Sequence, residues 1–124
     1  CIRDSPWALL ESGKTDAAKE AFKGYDLGDS GREQVLRLLT STTASEIVQG
    51  CWISRLTRWQ SSWPLIKRVL YHQDAAVRTE AVRSLGTLAG PSIEPALHML
   101  LRDTDPGVQQ AAERALRQIQ RRRQ

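Results

Sequence analysis

Asp74-Ala75-Ala76-Val77-Arg78 recurs as Asp105-Pro106-Gly107-Val108-Gln109, and the matched pairs 74/105, 77/108 and 85/116 are each 31 residues apart. An apolar stripe follows each copy. Val77, Ala81, Leu85 and Leu88 fall at spacings of four, four and three, and Val108, Ala112, Leu116 and Ile119 repeat those spacings. Such spacing places the apolar side chains on one face of a helix. The same offset holds upstream, where Pro64, Ile66, Val69 and Leu70 match Pro95, Leu97, Leu100 and Leu101. Each unit is therefore a helix opening near proline, a short turn, and a second helix headed by aspartate. Proline in a first turn loses no hydrogen bond, because that backbone nitrogen has no partner there. Asp74 and Asp105 are placed to accept from free amides at a helix start. Gly90-Pro91 separates one unit from the next. A period of this length predicts stacked helical hairpins, none able to bury its apolar face without a neighbour.

The pattern Asp-x-x-Val-Arg-x-x-Ala-x-x-x-Leu-Gly-x-Leu is filled by Asp74, Val77, Arg78, Ala81, Leu85, Gly86 and Leu88. It resembles the HEAT repeat in its short bacterial form, the kind also found in phycobilin lyases. The resemblance covers residues 62 to 120 and implies an all-α fold, a right-handed α-solenoid of about four helical hairpins. The second copy departs from the family pattern at Gln109, where arginine is frequent, and at Arg117, where glycine is frequent. Both departures suit a capping repeat whose outer face meets water.

Upstream, Ser5-Pro6-Trp7 opens a short helix that stops at Gly13, and Thr15-Asp16 caps a second that stops at Gly24. Tyr25 to Gly31 reads as a loop. From Arg32 a degenerate repeat begins: Val35, Leu38 and Leu39 match Ile66, Val69 and Leu70 at 31. Ser45, Val48, Trp52 and Leu56 match Asp74, Val77, Ala81 and Leu85 at 29, which predicts a turn two residues shorter in the repeat that follows. The chain thus reads as a single helical-repeat domain over 1–124. Its units are an N-terminal hairpin (1–28), a degenerate repeat (31–60), a HEAT-like repeat (62–90) and a HEAT-like capping repeat (91–120).

With 40% apolar and 26% charged residues the 124-residue chain is too apolar for disorder. Its longest uncharged run, Ser84 to Ile93, falls well short of the roughly 20 residues that cross a bilayer. Bacterial lipoproteins begin their mature form with a lipid-bearing cysteine, and Cys1 occupies that place. Lipidation at Cys1 is the expected route to a membrane, with the bacterial cell envelope as the location; a cytoplasmic fragment is the alternative. Cys51, between Gly50 and Trp52 in an apolar helix, reads as a small core residue.

Few stretches suggest chemistry. Gly28-Asp29-Ser30-Gly31 copies the surroundings of the trypsin-like nucleophile, but that fold is all-β, and Asp29 or Ser30 capping a helix from Arg32 is the better reading. His72 and His98 have no second ligand at metal-binding spacing; His72 falls at a helix end, where it can satisfy carbonyls. The residues predict no catalytic, cofactor-binding or metal site, and a protein that is not an enzyme. The lyase resemblance leaves a chromophore-handling role as a further alternative.

Charge is uneven. Residues 1–43 carry six basic and seven acidic groups, whereas 44–124 carry twelve and seven. Arg83 lies about 240° around an ideal helix from Val77, and Arg114 takes the same angle from Val108, with Arg117 and Arg121 close to it. Stacking would align them as a basic ridge. Trp59 and Trp63 flank the Gln60-Ser61-Ser62 turn and, with Arg55 and Arg58, make a neighbourhood of the composition enriched at binding hot spots. These eight residues are the candidate partner-binding set. They point to an interaction module, an accessory or adaptor subunit docking a protein with an acidic surface. Nucleic-acid binding along the ridge is the alternative.

Overall fold

Ser5 sets the first helix as its sequence predicts, its hydroxyl accepting from Ala8 N–H at 3.1 Å with Pro6 in the first turn. The computed structural model describes residues 5–123, so the expected lipid-bearing Cys1 lies outside the described residues. Among these, the α-helices run α1 Pro6–Glu11, α2 Thr15–Phe22, α3 Gly28–Leu39, α4 Ala44–Thr57, α5 Trp63–Arg68, α6 Ala75–Leu88, α7 Glu94–Leu100 and α8 Pro106–Arg123. Single 3-10 turns occupy 60–62, 69–71 and 91–93, and no strand occurs among the described residues. Among the described residues, no helix is long and apolar enough to cross a membrane.

The helices stack as an α-solenoid of hairpins. α2, α4, α6 and α8 follow one another in one layer, and α3, α5 and α7 each pack on an even-numbered helix. The repeat stripe forms the interior. Val77, Ala81, Leu85, Val108 and Ala112 have no exposed surface, and Leu88, Leu116 and Ile119 are buried with them. The heads of the repeat helices are held as expected. Asp74 Oδ1 accepts from Ala76 N–H at 2.8 Å, and Asp105 Oδ1 from Gly107 and Val108 N–H at 2.7 and 3.2 Å.

At the other end, Phe22 meets Trp7, Tyr25 and Trp52 edge-on with ring centroids 5.1, 5.9 and 5.9 Å apart. Such edge-to-face contacts add to the area they bury. Gly24 N–H also donates to Leu56 O at 3.0 Å, so the first hairpin is tied to α4 by backbone as well as by rings.

Three local expectations are corrected. α3 begins at Gly28, not Arg32: Gly28 takes a left-handed φ of 64° that only glycine adopts without strain, and its N–H donates to Asp26 Oδ1 at 3.1 Å. Asp29 and Ser30 are thus inside the first turn rather than capping it. α2 begins at Thr15 itself, and its cap residue, Lys14, makes no side-chain cap bond. The offset of 29 read for the second helix of the degenerate repeat is not kept either. α4, α6 and α8 start at 44, 75 and 106, intervals of 31 in each case, while the buried Ile47, Cys51, Trp52 and Ser54 match the buried Val77, Ala81, Val82 and Ser84 at 30.

α6 and α8 make the most extensive helix contact in the chain. A Cβ on Gly86 would lie 2.9 Å from Ala115 Cβ and 3.1 Å from Ala115 Cα, so the approach needs glycine. Arg117, at the matching place on α8, is exposed and meets no such neighbour, which is the physical sense of that departure from the repeat pattern. Leu85→Ala is expected to cost about 2–5 kcal/mol of stability in urea unfolding, through lost burial and the cavity left behind. A neutral result would mean that Leu85 is not packed between the repeats.

Candidate functional site

The surface that could serve a partner is framed by polar ties between successive repeats. Arg78, at the arginine position of the motif, donates from Nε and Nη2 to Asp103 at 3.0 Å each, and from Nη1 to the carbonyls of His72 and Gln73 at 2.8 and 3.0 Å. It thus ties its own turn and the next repeat's turn together. Gln109, its counterpart, donates from Nε2 to Asp103 O, the equivalent of His72 O. The amide keeps the contact within the repeat and omits the charged one. Burial alone would raise the Asp103 pKa, but the Asp105 N–H bond and the Arg78 guanidinium together hold it below the ordinary carboxylate value. Arg122 adds a further tie, donating to Gly86 O at 2.6 Å and Ala89 O at 2.7 Å. Those carbonyls end α6 and have no partner within it. Ser84 Oγ joins α6 to α4 through Cys51 O at 2.8 Å.

A groove runs along the face so fixed. Thr79, Arg83 and Thr87 of α6 form one bank, and Ala111, Arg114 and Ala115 of α8 the other, with Arg55 of α4 beside them. At Thr87 and Gln118 it adjoins a second concavity lined by Arg58, Arg121 and Arg122. No acidic or aromatic residue lines either part. Glu80 lies nearby, 3.3 Å from Arg55 Nη1 and 3.6 Å from Arg83 Nη1.

Of the eight residues singled out in the sequence, Arg55, Arg83 and Arg114 therefore share one groove, and Arg58 and Arg121 share its neighbour. The arginines line a concavity where a ridge was expected. Arg117 is not in the lining and pairs with Glu113 at 3.2 Å. Trp59 and Trp63 are half-buried against the core, Trp59 beneath the Arg32 guanidinium at 5.8 Å, and neither lines the arginine groove. Arg58 closes α4 in the left-handed region, φ 57° and ψ 37°, the single non-glycine residue with positive φ among the described residues.

The family model of HEAT repeats matches residues 63–124, half of the chain. The chain belongs to the HEAT-repeat family. No curated protein and no solved structure matches it. HEAT repeats generally mediate protein–protein interaction or scaffolding, and the family is typically non-catalytic.

Cys51 and His72, the groups in this HEAT protein with catalytic chemistry, have structural settings. Cys51 is buried, and burial, followed by the charge of Glu80, pushes its thiol up to about 12. It is a protonated core residue, as Trp52 beside it is a core aromatic. His72 does not donate to helix carbonyls: its Nδ1 accepts from Asp74 N–H at 3.0 Å, bracing the turn before α6. Ser30 is exposed in α3. Sequence reading missed Glu80, Asp103 and Arg122. Only the Glu80–Arg83 pair has a local signal, an i,i+3 spacing.

The Asp103 carboxylate, depressed in the folded state, contributes stability that is fully present above about pH 4, its unfolded value, and is lost as pH falls through the lower folded value. Asp103→Asn is therefore expected to lower the urea midpoint at pH 7 and to differ less from wild type at pH 3. A difference independent of pH would remove Arg78 and the Asp105 amide as its cause. Arg58→Gly is expected to raise thermal stability by about 1 kcal/mol, because the left-handed position suits glycine; no gain would mean that Arg58 is not strained.

Proposed function

We propose that this chain is an accessory or adaptor module whose α4, α6 and α8 face docks a protein with an acidic surface. One observation carries the reading. Successive second helices of the stack each contribute an arginine, Arg55, Arg83 and Arg114, to one groove with no acidic lining residue. Positive charge concentrated in a concavity attracts and orients an anionic partner more than the same charge scattered over a convex surface. The hairpin units read from the sequence act in this proposal as one continuous module, and the half-buried Trp59 and Trp63, packed against the core outside the arginine groove, are not its contact centre.

Arg58 adds support. A helix end in left-handed conformation is where glycine is usual, and a charged residue kept there in spite of the strain is the kind of position found at functional sites.

Replacing Arg83, Arg114 and Arg121 with glutamate is expected to abolish co-purification of the native partner while helicity by circular dichroism stays unchanged. Retained binding would reduce these arginines to a solvated face.

A further inference from the structure

Glu80 is a carboxylate already seated among the arginines. Its side chain is only 14% exposed, and its two oxygens reach different helices, Oε1 to Arg55 on α4 and Oε2 to Arg83 on α6 itself. Arg114, on the facing bank, has no hydrogen-bond or ion-pair partner among the described residues. One acid beside the groove thus satisfies part of the donor capacity of its arginines, and one arginine has none of its capacity used.

The geometry points to an acidic peptide segment of a partner protein as the occupant of this groove, held by Arg55, Arg83 and Arg114, with Glu80 an internal competitor that sets the affinity. This rests on the interaction reading above and names its ligand. Each guanidinium presents five N–H donors in a planar fork that matches a carboxylate, and Glu80 approaches one nitrogen of each of its two arginines. Donors therefore stay available for a second carboxylate, which Glu80 opposes by its like charge. Apart from Gln110 and Gln118, whose amides can bond a peptide, the remaining lining is short: Thr79, Thr87, Gly107, Ala111 and Ala115 let a peptide backbone come close between the longer arginines. From Gly107 to Gln118 the α8 bank is about 16 Å long, room for about three helical turns of a bound segment.

Two features set a peptide above a nucleic acid. No aromatic residue lines the groove, so unpaired bases would find no stacking platform. A phosphate chain also brings uniform negative charge past Glu80, whereas carboxylates on a peptide can be spaced to engage Arg114 and the nitrogens of Arg55 and Arg83 that Glu80 leaves free.

The test is fluorescence anisotropy of the full chain with a short glutamate-rich peptide, its glutamine counterpart, and an oligothymidylate of equal charge. The glutamate peptide is expected to bind and the glutamine peptide not. Arg114→Glu should weaken binding at least about tenfold, whereas Arg117→Glu, outside the groove, should leave it unchanged. Glu80→Gln, which keeps the side-chain shape and removes the charge, should tighten binding about fivefold, the scale of one close charge near water. Circular dichroism of each variant checks that it folds. Weaker or unchanged binding in Glu80→Gln, or preferential binding of oligothymidylate, overturns the proposal. If the glutamate peptide fails to bind but reversing Arg83, Arg114 and Arg121 still abolishes the native complex, this inference falls and the adaptor reading stands. If the native complex also survives, both fall.

Discussion

The contact of Gly86 with Ala115 governs the geometry on which everything else depends. Because glycine lets α6 and α8 approach without a Cβ between them, the helices pack closely along their buried stripes, and Arg83 and Arg114 come to face one groove. On the other flank α6 packs against α4, which brings Arg55 to the same place. A single central helix, covered on both sides, thus sets both the interior and the surface. Leu85 and Arg83 are two residues apart on it and serve opposite purposes.

Apolar packing of this kind brings the helices together but defines their sliding position weakly. The polar ties supply what it lacks. Arg78 joins two turns through a bidentate bond to Asp103, Arg122 reaches back from α8 to the last carbonyls of α6, and Ser84 reaches the Cys51 carbonyl. Each bonds a group at a fixed position along its helix, so a slip by one residue would break it. Charge-assisted bonds of this type are directional, whereas burial is not.

Much of this was legible in the residues. Asp74, Asp105 and the two four-four-three stripes declared their roles because capping and burial are local and periodic. Failure came where one residue type has two uses. Gly28 reads as a loop signal, yet its positive φ is the turn into a helix. Thr15 and Asp16 look like a cap, yet the helix has already begun. In the degenerate repeat Trp52 resembles the partner of Ala81 by stripe, although the pattern of burial matches it to Val82 and gives Ala81 to Cys51. The arginines of the groove were individually visible, since helical angle alone places Arg83 and Arg114. Their company was not. Glu80 meets Arg55 across 25 residues, and Asp103 meets Arg78 across the same distance, separations that only the stacking creates. Trp59 and Trp63 misled in the other sense, because flanking a turn says nothing about the helices that fold over it.

A HEAT-repeat chain of this kind does its work by holding a surface in shape, and the account assigns that work to one face of the stack. Tyr71 and Met99, 61% and 68% exposed, mark a different surface that a partner could use instead. Hydrogen exchange read by mass spectrometry on the isolated native complex compares the two directly. The account predicts added protection in residues 79–87 and 107–118 relative to the free chain, with 69–72 and 98–102 unchanged. Protection confined to 69–72 and 98–102, with the α6 and α8 segments unaltered, would contradict it.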